Sequence, residues 1–375
     1  MARHLVTGAT GFLGGHLVER LLEEGHEVVA LCREEEPELS ARGVTVAPGD
    51  VLDRESVERA ADGCVGVFHC AGKVSRHPED AEELYKLHVD GTRSVLAACK
   101  AKGVRRFVHA STSGTVAVSD DPRRFATEDD EAPLALIARW PYYRSKLYAE
   151  RAALEANEPG VLDVVSVNPT LLLGPGDLRG SSTEDVRLFL ERRIPAVPAG
   201  GLSFVDARDA ADAMVLAMDR GKPGARYLIG AKNLTIRRFF ECLERVSGVH
   251  APLLPMPRMP MMARLGAPWL GRALERLGQF PVPDPVSLEM AQYFWYLDSS
   301  RAEAELGWTP RDPMQTLADT VRDLYDRRVV TWGAGAYPAA ESSVRELPQQ
   351  LEARRALSLG DVPDHLPREG VERRA

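Results

Sequence analysis

A tyrosine and a lysine stand four residues apart in the stretch WPYYRSKLYAE, at Tyr142 and Lys146. On a helix this spacing places both side chains on one face. A tyrosine normally titrates near ~10, and a lysine ammonium one turn away favours the phenolate and lowers that pKa. The pair therefore predicts a donor or acceptor of protons, although a surface helix could carry the same pair without chemistry.

Three hydroxyl side chains, Ser111, Thr112 and Ser113, follow an apolar run some thirty residues upstream of this pair. A hydroxyl at the end of a neighbouring strand can hold the carbonyl or alcohol oxygen of a substrate beside the phenol. We therefore expect this cluster, and Thr112 in particular, to complete a site for acid–base chemistry on an oxygen-bearing carbon.

The stretch VTGATGFLGG at residues 6–15 places glycines 8, 11 and 14 between a short apolar run and an amphipathic one. Glycine lets the backbone approach a pyrophosphate, and the N-terminus of the following helix offers unpaired N–H groups. The spacing G-x-x-G-x-x-G differs from the G-x-G-x-x-G pattern, and a plain turn would also use glycines. The strand-to-helix context nevertheless favours a phosphate cradle.

Strands and helices alternate along the first part of the chain. Apolar runs predict strands at residues 27–32, 44–47, 66–70 and 106–110, and helices at 80–102 and 141–157. This alternation implies parallel strands joined by right-handed crossovers, and hence a doubly wound α/β sheet. Ligands of such sheets bind beyond the carboxyl ends of the strands, where the glycines and the hydroxyl cluster fall.

Composition and charge exclude several classes of protein. Of the 375 residues, 44% are hydrophobic and 27% are charged, which is typical of a globular chain. The formal net charge of −8, without a basic cluster, argues against a nucleic-acid partner. Five scattered cysteines without a C-x-x-C pair indicate neither a zinc site nor a disulfide framework. Without a basic-then-apolar leader or an apolar run of about 18 residues, we expect a cytoplasmic protein with no integral membrane segment.

With these motifs on one chain, the sequence resembles the extended short-chain dehydrogenase/reductase superfamily, also called the NAD-dependent epimerase/dehydratase family. The resemblance runs from Val6 to about Asp323 and includes TGATGFLG, GDVLD, FHCAG, VDGT, HASTSG, YYRSK, NPTLLLGPGD, FVDARDAADA and DSSRAEAELGWTP. It is most similar to the branch with dihydroflavonol reductases and 3β-hydroxysteroid dehydrogenases. The resemblance implies a Rossmann-type doubly wound parallel sheet with a smaller C-terminal substrate lobe.

The domain organisation follows from this likeness. We expect residues 1–168 to form the NAD(P)-binding Rossmann domain, to which later segments return, and residues 169–336 to form mainly the substrate lobe. Residues 337–375 are rich in Pro, Arg and Glu, and we expect a peripheral tail of disordered composition. The Met- and Pro-rich segment 252–285 is interpreted either as core, as a flexible apolar substrate pocket or as a membrane-surface contact.

The resemblance also implies a cofactor role for residues that match the motifs of the family. They are Gly8, Gly11, Phe12, Leu13 and Gly14 for the pyrophosphate, Asp50 and Val51 for the adenine, Cys70, Ala71, Gly72 and Lys146 for the nicotinamide ribose, and Asn168 and Pro169 for the loop that shields the nicotinamide. In the same likeness Tyr142 transfers the proton and Thr112 holds the substrate oxygen, with Ser111 or Ser113 in its place if the register slips. His88 stands where relatives usually have Asn; we interpret it as a structural histidine, with a proton path as the alternative.

The end of the second strand bears on the choice between NAD and NADP. An acidic residue there would bind the 2′-OH of the adenosine ribose, but this chain has Cys32 followed by Arg33. Arg33 can form a forked, charge-assisted pair with a 2′-phosphate, so we expect NADP. NAD stays the alternative, because Glu34, Glu35 and Glu36 would oppose added negative charge.

We therefore expect an NADP-dependent oxidoreductase that interconverts a ketone and a secondary alcohol on a bulky, fairly apolar small molecule. Candidate lining side chains, each of which could equally be core, are Phe189, Trp269, Phe280, Phe294 and Trp295. A nucleotide-sugar epimerase or dehydratase with retained NAD is the alternative, and a non-catalytic redox sensor is a minor one. A homodimer through helices 80–102 and 141–157 is common in the family and stays open.

Overall fold

Seven parallel strands form the main sheet of the computed structural model, which describes residues 1–256 and 285–330. The strands of these residues are β1 (Arg3–Thr7), β2 (Glu27–Cys32), β3 (Thr45–Pro48), β4 (Gly66–His69), β5 (Arg106–Ala110), β6 (Asp163–Pro169), β7 (Leu171–Leu173), β8 (Gly201–Asp206), β9 (Arg226–Ile229) and β10 (Lys232–Thr235). The order across the main sheet is β3-β2-β1-β4-β5-β6-β9, with neighbouring strands parallel. Its central strands are buried runs of apolar residues, as expected for a sheet covered on both faces.

Helices cover both faces of this sheet. In the described residues they are α1 (Phe12–Glu23), α2 (Pro37–Ala41), α3 (Arg54–Ala61), α4 (Ala81–Tyr85), α5 (Gly91–Lys102), α6 (Leu134–Ile137), α7 (Pro141–Glu155), α8 (Glu184–Leu190), α9 (Ala207–Arg220), α10 (Ile236–Ser247), α11 (Pro285–Met290), α12 (Ser300–Leu306) and α13 (Pro313–Asp326). On one face Leu17 of α1 and Met214 of α9 are buried together, and on the other Val57 of α3 packs with Val95 of α5. The prediction of a doubly wound Rossmann-type sheet is confirmed.

A smaller three-stranded sheet follows the sixth strand, in the order β10-β8-β7. β8 is antiparallel to β10 and parallel to β7. Its core includes Phe204 of β8, Phe239 of α10 and Leu317 of α13. The chain returns to the main sheet through β9, whose residues Arg226–Ile229 pair with the end of β6. The domain boundary after residue 168 stays a prediction.

The helix predicted over residues 80–102 contains a π turn. α4 continues through this turn, at Lys86–Asp90, into α5. The Thr92 hydroxyl donates to the His88 carbonyl oxygen at 2.5 Å. Such side-chain bonds to the backbone of the preceding turn are invisible to a pattern of apolar positions, which explains why a regular helix was expected.

Strand bounds agree with the prediction for residues 27–32 and 106–110, whereas the third strand covers 45–48 and the fourth ends at His69.

Among residues 1–256 and 285–330, no helix is both long and apolar enough to cross a membrane. Residues 257–284, which contain most of the Met- and Pro-rich segment with Trp269 and Phe280, lie outside the described residues. The same holds for the tail at 337–375.

Candidate active site

The loop between β1 and α1 and the first turn of α1 each contain a glycine at which there is no room for a side chain. Gly8 has a φ of +72°, and a Cβ there would lie 2.7 Å from the backbone nitrogen of Ala71. A Cβ on Gly14 would lie 2.0 Å from the carbonyl oxygen of Gly8, because the first turn of α1 rests on the loop. The loops after β1 and β4 and the start of α1 therefore meet backbone to backbone, as a dinucleotide cradle requires.

The N-terminus of α1 is open to an anion. The helix begins at Phe12, its N-cap residue Gly11 forms no side-chain cap, and its first turn contains no acidic residue. The first N–H groups of a helix have no acceptor within the helix, so those of Phe12, Leu13 and Gly14 point outward with the positive end of the helix dipole. These residues fit the pyrophosphate of a dinucleotide.

The other residues expected to bind the cofactor follow neighbouring strands. They are Arg33 after β2, Asp50 and Val51 after β3, and Cys70, Ala71 and Gly72 after β4. Arg33 is exposed. The backbone N–H of Ala71 donates to the hydroxyl of Thr7, the last residue of β1, at 3.3 Å. Since β2 and β4 both pair with β1, these loops surround the glycine cradle at one edge of the sheet.

Tyr142 and Lys146 lie one turn apart in the first half of α7. The Tyr142 ring packs edge-on against His88 and Tyr143, whose ring centroids are 5.8 Å and 5.0 Å away. Lys146 is buried, and its ammonium donates a 2.6 Å hydrogen bond to the carbonyl oxygen of Ala110 at the end of β5. Helix α7 thus holds the end of the strand that leads into the hydroxyl cluster.

The pKa of Tyr142 shifts in the direction opposite to the one expected from the sequence. Burial raises it above the ordinary value of 10.0, and the neighbouring Tyr143 raises it further. The expectation of a lowered pKa was wrong, because burial has the largest influence on this phenol. Burial also lowers the pKa of Lys146, to about 8. At neutral pH Tyr142 is therefore protonated, which is the form that a proton donor needs.

The three hydroxyls after β5 lie in different surroundings. Ser111 is buried and donates to the carboxylate of Glu150, and Ser113 is buried as well. Thr112 is only half-buried, and its hydroxyl oxygen accepts a 3.4 Å hydrogen bond from the N–H of Gly114. A hydroxyl that accepts from a backbone N–H keeps its own proton to donate. Of the three, Thr112 is thus the best placed to donate to a substrate oxygen.

A buried carboxylate that no motif singled out lies beneath this loop. Glu150 is 1% exposed, and its Oε2 atom accepts three hydrogen bonds. The donors are Ser111, Thr115 and Asn168. The signal in the sequence is spacing, because Tyr142, Lys146 and Glu150 recur every four residues and share one face of α7.

Asn168 and Pro169 end β6, and both are buried. The Asn168 amide oxygen accepts from the Ser166 hydroxyl at 2.8 Å, which directs the amide nitrogen toward Glu150 and toward the carbonyl oxygen of Thr112 at 3.1 Å. The side chain that was expected at the nicotinamide loop is therefore bonded inside the protein, to the segment that contains Thr112.

His88 has a hydrogen-bond partner on each ring nitrogen. Nε2 accepts from the backbone N–H of Lys73, so Nδ1 bears the proton and donates to the Ser145 hydroxyl, which in turn donates to the Tyr142 carbonyl oxygen. Burial lowers the pKa of His88 to about 2. These bonds support its interpretation as a structural histidine.

An aromatic cluster, formed by Trp140, Tyr143, Tyr293 and Trp295, lies beside Tyr142. The ring centroids of Tyr143 and Trp295 are 4.9 Å apart, and those of Trp140 and Trp295 are 5.5 Å apart. Tyr143 and Trp295 are half-buried, whereas Trp140 and Tyr293 are buried. The cluster therefore places partly exposed apolar surface next to the candidate proton donor.

Two of the aromatic residues expected to line a pocket are part of the core. Phe189 stacks on Phe240 at 5.4 Å between α8 and α10, and Phe294 packs on Tyr296 at 5.5 Å. Both are buried, so the alternative of core packing is correct for them. Trp295 is the lining candidate that the structure places near Tyr142.

The sequence pattern of the NAD dependent epimerase/dehydratase family matches residues 4–230, which is more than half of the chain. The chain belongs to this family. The resemblance derived from the motifs is thereby confirmed. As a member with reductases among its relatives, the chain is an NAD(P)-dependent oxidoreductase.

Relatives within the family match across most of their length. Sterol demethylase protein B of Methylococcus capsulatus is 34% identical over 333 residues, covering 87% of this chain and 99% of the relative. A 4-hydroxy-2-methyl-3-oxo-4-farnesyl-3,4-dihydroquinoline-1-oxide ketoreductase of Stigmatella aurantiaca is 30% identical over 337 residues, or 85% and 96% of the two chains. A dihydroflavonol 4-reductase of Hordeum vulgare is 30% identical over 260 residues, or 64% and 73%. The expected likeness to dihydroflavonol reductases is thus confirmed.

The fold of the family is seen in a solved structure as well. The crystal structure of gox2253 has a TM-score of 0.76 and 26% sequence identity, and covers 88% of this chain and 100% of its own. The Rossmann-like architecture is therefore shared over nearly all of the described residues.

Proposed function

We propose that this family member is an NADPH-dependent reductase of a ketone carried by a bulky, mainly apolar molecule. The observation that carries the proposal is the aromatic cluster packed beside the half-buried, protonated Tyr142. The names of two relatives contain the words sterol and farnesyl, which denote large apolar groups. A substrate of that kind would gain free energy from the partly exposed Tyr143 and Trp295 rings.

Each side chain of the candidate site has a separate task in this proposal. Tyr142 donates its proton to the carbonyl oxygen of the substrate, and the Thr112 hydroxyl donates a hydrogen bond to the same oxygen. Lys146, anchored on the Ala110 carbonyl, holds the ribose hydroxyls of the cofactor. When bound, the nicotinamide supplies the hydride that reduces the carbonyl carbon.

The preference for NADPH is proposed from the end of β2. That strand ends in Cys32, so no carboxylate stands at its last residue, and the exposed Arg33 follows. A 2′-phosphate beside the cradle would pair with the guanidinium. The cofactor residues expected from the motifs keep their roles in the proposal, except that the Asn168 side chain supports the segment of Thr112 and not the cofactor directly. We also propose a homodimer, a small-molecule substrate and a cytoplasmic location.

The first experiment is a fluorescence titration of the purified chain with NADPH and NADH, after a check for cofactor retained through purification. Clear preference for NADPH with an empty starting site supports the proposal. NADPH oxidation is then followed with a steroid ketone, an aryl ketone and UDP-glucose, alongside Tyr142→Phe as the control. Turnover of an apolar ketone by the wild type and not by Tyr142→Phe is the expected result.

Other outcomes would favour the alternatives. Tightly retained NAD together with conversion of a UDP-sugar, without net NADPH oxidation, would replace the reductase by a nucleotide-sugar epimerase. Cofactor binding without turnover, and a biological output unchanged in Tyr142→Phe, would favour a redox-sensing protein.

A further inference from the structure

The carboxylate of Glu150 lies at the centre of a hydrogen-bond network under the segment 110–115. Its Oε2 atom accepts from the hydroxyls of Ser111 and Thr115, the latter at 2.9 Å, and from the Asn168 amide at 2.7 Å. Its Oε1 atom lies 3.3 Å from a guanidinium nitrogen of Arg226 on β9. The carboxylate therefore ties together the loop after β5, the end of β6 and the returning strand β9.

Two of the groups bound to Glu150 also fix the backbone of Thr112. The Thr112 carbonyl oxygen accepts from the Asn168 amide at 3.1 Å. The Thr115 hydroxyl lies 3.0 Å from the same carbonyl oxygen and 2.9 Å from Oε2 of Glu150, and its single proton is shared between these two acceptors. Ser111, the residue before Thr112, is held through its own hydroxyl. The backbone of Thr112 is thus held on both sides, while the residue itself is only half-buried.

The same face of α7 also contacts Ala110, the residue before Ser111. Lys146 donates to the carbonyl oxygen of Ala110, one turn of α7 before Glu150. Lys146 and Glu150, on consecutive turns of α7, therefore form hydrogen bonds with Ala110 and Ser111, the two residues before Thr112. A shift of Glu150 would move the Thr112 hydroxyl relative to Tyr142, which lies on that face of the same helix.

We propose that Glu150 is a positioning residue: its buried carboxylate fixes the Thr112 hydroxyl beside Tyr142 and provides the counter-charge of the Lys146 ammonium. For its catalytic consequence the inference rests on the function proposed above. Glu150 itself does not touch substrate or cofactor in this scheme, and acts through Ser111, Thr115 and Asn168.

The electrostatic half of the proposal depends on what faces the Lys146 ammonium. The titratable groups around it are Glu150 and Tyr142 of α7, His88 of the π turn, His69 of β4, Cys70 after β4 and His109 of β5. Burial lowers the pKa of His69 to about 3 and that of His88 to about 2, and holds that of His109 well below its ordinary value. Burial raises the pKa of the Cys70 thiol to about 12. With these groups and the phenol neutral at pH 7, Glu150 supplies the negative charge that opposes the loss of the Lys146 proton. The guanidinium of Arg226, on the other oxygen of the carboxylate, offsets part of this charge.

The test compares Glu150→Gln with Glu155→Gln. Glutamine keeps an acceptor oxygen for the three donors and removes the charge. Glu155 ends the same helix and is exposed, so its variant loses a charge of the same sign without entering the network. The full-length chain is used in each case, and thermal unfolding without cofactor establishes that each variant is folded.

The first measurement is NADPH affinity by fluorescence as the pH is raised through the titration of Lys146. Affinity falls where Lys146 loses its proton, and in Glu150→Gln this fall moves to lower pH by about one unit. The second measurement is ketone reduction, where kcat of Glu150→Gln drops roughly 10- to 100-fold with a smaller change in KM. Glu155→Gln follows the wild type in both measurements.

A pH profile and a kcat for Glu150→Gln that match Glu155→Gln would overturn the proposal. An equal loss of NADPH affinity at every pH would also overturn it. Such a loss is expected if Glu150 only supports the fold, because the pH at which Lys146 loses its proton would then stay unchanged. If Glu150→Gln does not fold, Ser111→Ala removes one donor instead, and its kcat is expected to fall about tenfold. A kcat of Ser111→Ala equal to that of the wild type would then contradict the positioning role of Glu150.

These outcomes separate the two proposals. A wild-type chain that binds NADPH and reduces no ketone contradicts the proposed reaction, while the pH dependence of NADPH binding still tests Glu150. Normal ketone reduction in Glu150→Gln contradicts the positioning role and leaves the proposed reaction intact.

Discussion

Replacing Gly14 by alanine tests the glycine cradle at a single atom. The added Cβ would lie 2.0 Å from the carbonyl oxygen of Gly8 and 2.8 Å from its carbonyl carbon. A carbon–oxygen contact needs about 3.3 Å, and both obstructing atoms are backbone. The first turn of α1 must therefore move away from the loop by about 1 Å.

The cost of this movement follows from the contacts that it changes. Overpacking of this kind costs about 1–3 kcal/mol, while the better helix propensity of alanine offsets up to about 1 kcal/mol. We expect a net loss of about 1–2 kcal/mol in the free energy of unfolding. The N–H groups of Phe12 and Leu13 would shift with the helix, and each lost charge-assisted hydrogen bond is worth about 1.5–3 kcal/mol. The Kd for NADPH should therefore rise roughly 10- to 100-fold.

Gly15 provides the matched control, since it is the next residue of the same helix. A Cβ there would have Ala9 as its nearest neighbour, with the carbonyl oxygen at 3.8 Å, which is ordinary contact. Gly15→Ala is expected to stabilise the chain by about 0.5–1 kcal/mol and to leave the Kd unchanged. Urea denaturation and NADPH titration of the wild type and both variants measure the two quantities. Wild-type behaviour of Gly14→Ala, or equal damage in Gly15→Ala, would refute the steric reasoning.

Three further predictions concern the cofactor and the proton donor. In Arg33→Ala, loss of the guanidinium is expected to weaken NADPH binding about tenfold and to leave NADH binding unchanged, as measured by titration of both cofactors. In Tyr142→Phe, loss of the proton donor should lower kcat for ketone reduction roughly 10²- to 10⁴-fold without changing the Kd for NADPH. Because burial lowers the pKa of Lys146 from 10.5 to about 8, the unfolded chain binds this proton more tightly than the folded one. Stability contributed by Lys146 therefore increases between these two pH values, by on the order of 3 kcal/mol, and urea denaturation of wild type and Lys146→Met measures the difference.

Each of these predictions can fail in a recognisable way. Equal losses of NADPH and NADH affinity in Arg33→Ala would mean that the guanidinium does not read a 2′-phosphate. Wild-type kcat in Tyr142→Phe would assign the proton to another group. A stability difference between wild type and Lys146→Met that stays constant with pH would show that the ammonium is not buried in solution.

The parts of the fold that follow from local patterns could be predicted from the sequence. The runs 27–32 and 106–110 are strands with the expected bounds, because a continuous apolar run between polar segments is typical of a buried parallel strand. The glycine stretch could also be recognised from the local sequence, because the strand, the turn and the helix follow one another directly along the chain. The family was confirmed from motifs of this local kind.

The parts that depend on distant packing could not be predicted. The direction of the Tyr142 pKa is set by burial among rings that include Tyr143 and, beyond it, Trp295 from the far end of the described chain. The partners of Glu150 come from the loop after β5, from β6 and from β9, so the four-residue spacing alone could not distinguish a network from a surface helix. In both cases the deciding neighbour lies on another element.

The π turn at Lys86–Asp90 makes the length of the chain there a structural constraint. A turn of this kind accommodates one residue more than a regular helix, and successive residues of a helix are rotated by about 100°. Deleting a single residue of the turn would restore a regular helix in which α4 and α5 keep nearly the same relative phase, so the change would be confined to the residues of the turn itself. His88 would then leave Ser145 and the wall behind Tyr142. The position of His88 behind Tyr142 therefore depends on the number of residues in this turn as well as on their types.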